Sequence, residues 1–336
     1  MSDKPPLLLV FAPALNRELL TTAHRERLEG LAELLVPEPV AGFDDPRVAA
    51  AIERVEVLIT GWGCPRLDVP TLDRMPRLRA VLHAAGTVKN HVTPACFERG
   101  IRITSAASAN AIPVAEFTVA VILLANKRAF RAQRRYRDVR SFRLWSQEFP
   151  GIGNHGKVIG LVGASRIGRL VAARLRAIGF AVLVHDPFLS SADARALDVE
   201  PCGLDELLRR ADVVSLHAPA LPETRHMIDR RALSLLRDGA VLVNTARGSL
   251  VDHAALVDEL VSGRIDAVLD TTEPELLPAD SPLYELDNVF LTPHIAGSQG
   301  DEVRRMMDLA LDELGRLVAG AALEHEVRAG DWDRIA

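Results

Sequence analysis

The sequence has few cysteines, which excludes a small disulfide-stabilised secreted protein and a metal site made of cysteine ligands. Only three cysteines occur among 336 residues, at Cys64, Cys96 and Cys202. Their wide spacing fits neither a zinc site nor a paired redox motif. We therefore expect no metal site and reduced thiols in a cytoplasmic protein.

Positive charge is not in excess either, and apolar runs are short. A formal net charge of -5 excludes a general attraction to nucleic acid or to an anionic membrane. The first apolar run, 7–11, is too short for a signal peptide. No stretch approaches the roughly 18 to 20 apolar residues that cross a bilayer. These features predict neither nucleic-acid nor membrane partners, and the length of 336 residues predicts two domains.

The middle of the chain alternates strand-like and helix-like patterns. Between the first two strand-like runs, apolar residues recur with helical spacing, from Ile167 to Ile178. Such alternation predicts βαβ units and a doubly wound parallel sheet of the dinucleotide-binding type. The six strand-like runs are 158–162, 181–184, 213–216, 240–243, 265–269 and 289–291.

The first hundred residues repeat this pattern and predict a smaller α/β domain. Its strand-like runs are 7–11, 55–60, 78–82 and 101–104. Near the other end, 302–319 has the pattern of an amphipathic helix, which we expect to complete the first domain. The predicted domains are therefore 1–105 with 299–336, and an inserted domain at 106–298.

A glycine-containing loop follows the first run of the inserted domain. Gly163-Ala164-Ser165-Arg166-Ile167-Gly168 matches the dinucleotide fingerprint with serine at its second glycine. Asp186 follows the next strand-like run, where a carboxylate can accept hydrogen bonds from both ribose hydroxyls. No basic residue follows before Arg195, so we expect NAD(H) rather than NADP(H). The alternatives are an ordinary turn at the loop and a turn-forming role for Asp186 before Pro187.

Three later segments place chemically active side chains after strand-like runs. They contain Arg247, a carboxylate at Glu275 or Glu273, and His294. A guanidinium can bind a carboxylate through two hydrogen bonds, and histidine exchanges a proton near neutral pH. The pattern predicts proton transfer beside a small anion. Structural roles stay open: Arg247 could cap a helix, and His294 could be a buried hydrogen-bonding residue.

With these motifs the chain resembles the D-isomer-specific 2-hydroxyacid dehydrogenases over nearly its whole length. The resemblance is carried by 212–219 with 222–225, 244–248, 269–275 and 292–297. It implies an NAD-dependent oxidoreductase that interconverts a 2-keto acid and the (R)-2-hydroxy acid. It further implies a Rossmann domain inserted into a flavodoxin-like α/β substrate domain.

The same resemblance implies a role for each matching residue. Arg247 would bind the substrate carboxylate and carbonyl, and His294, paired with Glu275, would be the general acid and base. The backbone of Ala85, Gly86 and Thr87 would bind substrate. The implied cofactor-binding residues are Gly163, Ser165, Arg166, Ile167, Gly168, Asp186, His217, Ala218, Pro219, Thr224, Thr245, Ala246, Asp270 and Gly297.

Some features leave the substrate open. Trp62 either faces the substrate cleft, favouring an apolar tail, or packs under its own loop. Lys89 stands where the resembling proteins often have an acidic residue, and His83 could reach the same pocket or serve the structure. Glyoxylate, hydroxypyruvate, 3-phosphoglycerate and branched 2-keto acids all share the group that Arg247 would bind.

A basic, aromatic-containing stretch lies between the two domain patterns. It has eight basic residues and one acidic residue in 127–143. Because the whole chain is acidic, we interpret 127–150 as an arm at a homodimer interface, as the resemblance implies, rather than as a nucleic-acid contact. The alternative function is an NAD-sensing, corepressor-like binding protein.

Overall fold

A computed structural model describes residues 4–332 and divides the chain into two compact units. The first comprises Met1–Ala111 with Ser298–Ala336, and the second Ile112–Gly297. The predicted boundaries differ by six residues at the first junction and by one at the second. The first junction lies inside a continuous helix, Ala107–Asn126, just before Pro113.

The first unit contains a parallel sheet with the strand order β2-β1-β3-β4-β5, which is the flavodoxin-like order. Its strands are β1 (Pro6–Val10), β2 (Glu33–Leu34), β3 (Val57–Thr60), β4 (Ala80–His83) and β5 (Arg102–Ser105). Its helices are α1 (Asn16–Leu19), α2 (Thr22–Leu31), α3 (Pro46–Ala49), α4 (Val69–Asp73), α5 (Pro94–Glu98) and α14 (Arg304–Val318).

Both faces of this sheet are buried, which is why its strands are apolar throughout. Leu7 and Leu9 of β1 point to one face and Leu8 to the other, following the two-residue period of a strand. Helix α14 covers the first of these faces with Met306 and Leu314. The terminal amphipathic helix therefore completes the first unit, as its pattern predicts.

The second unit contains a parallel sheet with the strand order β12-β11-β10-β9-β6-β7-β8, a Rossmann arrangement with one additional strand. Its strands are β6 (Val158–Val162), β7 (Ala181–His185), β8 (Glu200–Pro201), β9 (Val213–Leu216), β10 (Val241–Asn244), β11 (Asp266–Leu269) and β12 (Val289–Leu291). Its helices are α6 (Ala107–Asn126, which begins in the first unit), α7 (Ala129–Val139), α8 (Trp145–Glu148), α9 (Arg166–Ala177), α10 (Ser191–Ala196), α11 (Leu204–Arg210), α12 (Arg230–Ser234) and α13 (His253–Val261).

Helix α6 corrects the expectation that no stretch approaches the length of a membrane span. Among residues 4–332 it is the one helix that is long and apolar enough, by length and composition alone. Ala115, Val121 and Ile122 nevertheless pack in one core with Ile159 and Leu161 of β6. Packing on the sheet thus accounts for the buried side chains of α6, whereas Leu124 of the same helix is 44 % exposed.

The carboxyl ends of β6 and β9 form the point where strand order reverses in the second sheet. From β6 the chain continues to β7 on one side, whereas β9 lies on the other side. Dinucleotides bind at such a switch point in open α/β sheets. Strands β10, β11 and β12 follow β9 in sequence and in space, so their carboxyl ends extend the same edge.

Candidate functional site

The loops after β10, β11 and β12 carry Arg247, Glu275 and His294. Because the three strands are adjacent and parallel, the loops leave the same edge of the sheet. The structure therefore brings together the three side chains that the sequence assigns to catalysis. All three belong to the second unit.

Asp270 organises the loop that presents His294. Its buried carboxylate accepts hydrogen bonds from the backbone N–H groups of Ile295 and Ala296 at 2.8 and 2.9 Å, and from Thr292 Oγ1 at 2.6 Å. The Asp270 carbonyl accepts from His294 N at 2.9 Å. His294 has φ of 54°, a left-handed conformation that is costly for a residue with a side chain. These hydrogen bonds offset that strain.

His294 and Glu275 are in direct contact. His294 Nδ1 lies 2.6 Å from Glu275 Oε1. Glu273, the competing carboxylate, instead accepts from Arg225 Nη1 at 2.7 Å and lies 3.2 Å from His226 Nε2. Arg225 is the main reason that the pKa of Glu273 is lowered. The geometry favours Glu275 over Glu273 as the partner of His294.

Arg247 is half-buried beside these groups. Burial lowers the pKa of its guanidinium, and the negative charge of Glu275 opposes that effect. The side chain of Asn244 supports the preceding turn, donating to Arg247 O at 2.9 Å and accepting from Ala246 N at 3.1 Å. No role was predicted for Asn244, although an asparagine at the end of a strand is typical of such a turn.

Gly248 permits two functional loops to touch. A Cβ atom built there would lie 2.1 Å from Thr272 C and 2.5 Å from Glu273 N. Only glycine allows this approach, which brings the residue after Arg247 against the segment that leads to Glu275. The two loops can therefore lie this close only because residue 248 has no side chain.

The loop after β6 has the form of a pyrophosphate cradle. Gly163 has φ of 103°, and a Cβ there would lie 2.6 Å from Ala218 N. At Gly168, a Cβ would lie 2.1 Å from Gly163 O. The loops after β6 and β9 therefore meet at the switch point, where the first N–H groups of α9 lack intrahelical partners. This is the arrangement that a dinucleotide requires, so the residues present fit NAD.

The side chains of Ser165 and Asp186 both have partners within the protein. Ser165 caps α9 by accepting from Gly168 N at 3.3 Å. Asp186 accepts from Ala164 N at 2.6 Å and from Phe188 N at 2.7 Å. These hydrogen bonds tie Asp186 to the glycine loop and to the turn after β7, and its contact with the ribose stays a prediction. Arg166 and Ile167 begin α9.

The remaining cofactor candidates line the same edge. His217 is buried, which lowers its pKa to about 3, and its Nε2 lies 3.0 Å from Ser215 Oγ. Thr224 Oγ1 donates to Pro219 O at 2.6 Å, which closes the loop after Ala218. Thr245 is paired with Thr118 at 2.8 Å. Buried Ala246 and half-buried Gly297, the last residue of the second unit, complete this set.

The substrate candidates of the first unit lie after β3 and β4. Gly86 O accepts from Ser105 Oγ at 2.5 Å, and Thr87 Oγ1 accepts from Lys89 N at 3.2 Å. Ala85 is buried, and Gly86 and Thr87 are half-buried. Trp62 is 39 % exposed, so it is not enclosed by its own loop.

His83 is a buried structural residue rather than a solvent-facing group. Its Nδ1 lies 2.9 Å from Thr60 Oγ1, and its ring centroid is 4.3 Å from that of His91. Burial lowers the pKa of both histidines, to about 4 for His91. Lys89, two residues after Thr87, is partly buried.

Comparison with known proteins identifies the family of the chain. The profile of the D-isomer specific 2-hydroxyacid dehydrogenase, NAD binding domain, matches residues 119–296. The (S)-sulfolactate dehydrogenase of Chromohalobacter salexigens is 36 % identical over 274 residues, covering 79 % of this chain and 88 % of that protein. The chain belongs to the D-isomer-specific 2-hydroxyacid dehydrogenase family. Its second unit is an NAD-binding Rossmann domain.

Two further matches show how much of each protein the similarity covers. The D-3-phosphoglycerate dehydrogenase of Mycobacterium tuberculosis is 35 % identical over 87 % of this chain, but the chain spans only 54 % of that protein. A crystal structure of a Thermus thermophilus protein matches with a TM-score of 0.77 at 31 % identity, covering 96 % of this chain and 99 % of that one. The chain thus spans about half the length of its phosphoglycerate dehydrogenase relatives.

Proposed function

We propose that this family member catalyses the NAD-dependent interconversion of a 2-keto acid and the corresponding (R)-2-hydroxy acid. The observation that supports this most is the contact between His294 and Glu275 beside Arg247. A histidine, its carboxylate partner and a guanidinium are the groups that carbonyl reduction next to a carboxylate requires.

Each of the three side chains has a distinct task in this proposal. Arg247 binds the substrate carboxylate and stabilises negative charge that develops on the keto oxygen. Glu275 accepts a hydrogen bond from the Nδ1–H of His294, which leaves Nε2 to give a proton to the keto oxygen, or to remove it from the hydroxyl in oxidation. When bound, NAD(H) supplies or accepts the hydride. Protein groups therefore manage the proton and the charge.

In the first unit we assign substrate contacts to the backbone N–H groups of Ala85, Gly86 and Thr87. Trp62, being exposed, is available to contact an apolar substituent of the substrate. Lys89, a half-buried residue two positions after Thr87, would favour an anionic substituent instead. The names of the relatives include a phosphorylated and a sulfonated acid, so both substituents belong in a substrate screen.

The deciding experiment is a screen of NADH oxidation over glyoxylate, hydroxypyruvate, phosphohydroxypyruvate, sulfopyruvate and branched 2-keto acids. Arg247→Ala serves as the blank, since it lacks the carboxylate-binding group. We expect turnover by the wild-type protein with at least one acid and little by the blank. Equal rates in the two proteins, or none with any acid in either direction, would refute the dehydrogenase assignment. No observation favours the corepressor-like alternative.

We propose NAD(H) as the preferred cofactor over NADP(H). Asp186 directly follows β7, where its carboxylate would repel the added phosphate of NADP(H). Such a juxtaposition costs several kcal/mol, so we expect kcat/KM with NADH to exceed that with NADPH by about tenfold or more. Comparable values for the two cofactors would contradict this.

We also propose a cytoplasmic homodimer. Cys64, Cys96 and Cys202 are all free, as expected in a reducing compartment, and cell fractionation tests this location. The 127–150 arm is anchored on its own chain, where Phe130 stacks on Phe290 with centroids 3.9 Å apart. Beyond that anchor Phe142 is 92 % exposed, which is the feature that supports the arm as a contact between copies.

A further inference from the structure

A cluster of ionisable side chains lies behind the loop that carries Glu275. Glu273 is hydrogen-bonded through its carboxylate to Arg225 and His226, as described above. Its backbone N–H donates to Nε2 of a third residue, His253, at 3.3 Å. His253 is the first residue of α13, six positions after Arg247. The catalytic assignments made above do not use His253.

The hydrogen bonds of His253 define its protonation state. Nδ1 lies 3.3 Å from Val251 O, and because a carbonyl oxygen only accepts, Nδ1 carries the proton. Nε2 accepts the Glu273 N–H, so it must carry a lone pair. Both requirements are met only by the neutral imidazole protonated on Nδ1. An imidazolium would place an Nε2–H against the Glu273 N–H.

The surroundings of His253 favour this neutral form. Burial lowers its pKa, and His226 acts in the same direction. The carboxylates of Glu273 and Asp252 and the backbone hydrogen bond to Val251 oppose that shift. The positive end of the α13 dipole, at whose first position His253 lies, also disfavours added positive charge.

The segment held by His253 leads directly to Glu275. Thr272, one residue before Glu273, lies against Gly248, so this part of the loop is pressed between the Arg247 turn and α13. Thr272 Oγ1 lies 2.8 Å from Pro274 O and 3.1 Å from Glu275 O, and its proton is shared between them. The loop is therefore fixed at Glu273 by His253 and at Glu275 by Thr272.

We propose that His253 is a positioning residue for the reaction: by holding the Glu273 N–H it keeps the Glu275 carboxylate against His294. The inference rests on the proposed dehydrogenase function. Protonation of His253 removes the acceptor for this N–H and releases the loop. Acidification below the ordinary histidine pKa of about 6.5 then lowers activity through His253, in addition to any titration at the substrate itself.

Two substitutions separate the hydrogen bond from the titration. His253→Leu removes both hydrogen bonds, whereas the amide of His253→Gln can accept from Glu273 N and donate to Val251 O without titrating. His155→Leu, at an exposed histidine of the same unit, is the matched control. We expect H253L to lower kcat by roughly tenfold to a hundredfold, because small misplacements of catalytic groups have effects of that size. The KM for NADH should change little.

H253Q and the control should stay near the wild-type kcat at pH 7.5. At pH 5.5, H253Q should keep a larger fraction of its activity than the wild-type protein. A merely structural role of His253 would not produce this difference in pH profile. A wild-type pH profile in H253Q, or a wild-type kcat in H253L, would overturn the proposal.

A second readout does not depend on turnover. Hydrogen exchange of the Glu273 amide should accelerate in H253L and stay slow in H253Q and H155L. In every variant, kcat and the protection of the Glu273 amide from hydrogen exchange should change together. A variant that loses one and keeps the other contradicts the positioning role. If the wild-type protein turns over no 2-keto acid, the dehydrogenase assignment fails, whereas the exchange data still decide whether His253 holds the loop.

Discussion

Glu273 and Glu275 are two positions apart in sequence but have different partners. The Glu273 carboxylate contacts Arg225 and His226, whereas the Glu275 carboxylate contacts His294. Sequence spacing favoured Glu275, yet it could not show what Glu273 does, because Arg225 lies 48 residues earlier in the chain. In the same way, nothing in the sequence showed that both Asp270 oxygens are used by the backbone of the His294 loop.

Substitution of the two glutamates should separate their roles. We expect Glu275→Gln to lower kcat/KM by about tenfold or more, since the neutral amide stabilises the protonated form of His294 less well. Glu273→Gln should stay much closer to wild type, because its carboxylate has no contact with His294. Steady-state kinetics of the purified variants provide the measurement, and the reverse ranking would assign the partner role to Glu273.

Loss of the proton donor or of the guanidinium should be more severe. We expect His294→Ala and Arg247→Ala each to lower kcat/KM by about 10²-fold or more, the range of general acid–base contributions. Binding of NADH, followed by its fluorescence, should persist in both variants if folding is intact. Near-wild-type turnover in either variant would remove that residue from the mechanism.

The strands and helices that carry the site were largely predictable, and those that were missed are short and exposed. The predicted run 289–291 coincides with β12, and 302–319 differs from α14 by two residues at one end and one at the other. Strands β2 and β8 were not predicted, since each has two residues and no apolar pattern. Two-residue strands depend on tertiary pairing, which periodicity does not record.

The contact between the Arg247 turn and the Thr272–Glu273 segment can be tested by adding one methyl group. We expect Gly248→Ala to lower the free energy of unfolding by about 1–3 kcal/mol, the usual cost of overpacking, and to reduce activity. Gly203→Ala is the matched control in the same unit, since a Cβ there meets nothing within 4 Å. Urea denaturation of both variants measures the effect. Equal stability of the two would mean that the loops can separate without cost.

Two buried histidines should make the stability of the first unit depend on pH. His83 and His91 lie side by side in the first unit, and burial lowers the pKa of both. Their stabilising contribution is complete above the unfolded pKa of about 6.5 and is lost as the pH falls below it, toward about 4 in the case of His91. Each neutral histidine contributes a slope of up to about 1.4 kcal/mol per pH unit in that window.

This dependence should be visible in the first unit alone. Trp62 and Trp332 belong to that unit and Trp145 to the other, so a Trp145→Phe background reports the first unit by fluorescence. In that background we expect the urea concentration at the unfolding midpoint to be lower at pH 5 than at pH 7. The decrease should be smaller in His91→Gln. If the urea midpoint of His91→Gln decreases between pH 7 and pH 5 as much as that of the control His155→Gln, His91 does not titrate on unfolding.

The assembly proposal predicts a loss of dimer when the arm becomes polar. Phe142→Ser with Leu144→Ser removes two exposed apolar side chains from the 127–150 arm. We expect the variant to elute as a monomer in size-exclusion chromatography with light scattering, and Val261→Ser, an exposed apolar site on α13, to leave the mass unchanged. A dimeric arm variant would place the contact elsewhere.

The first unit is made of two chain segments separated by the whole of the second. Its core requires Met306 and Leu314 of α14 beside Leu7 and Leu9 of β1. During synthesis β1 therefore emerges from the ribosome nearly 300 residues before the helix that covers it. The Rossmann unit, being one continuous segment, can fold in the meantime. One face of the first sheet is thus uncovered until α14 has been synthesised, so the first unit is the later of the two to complete its fold.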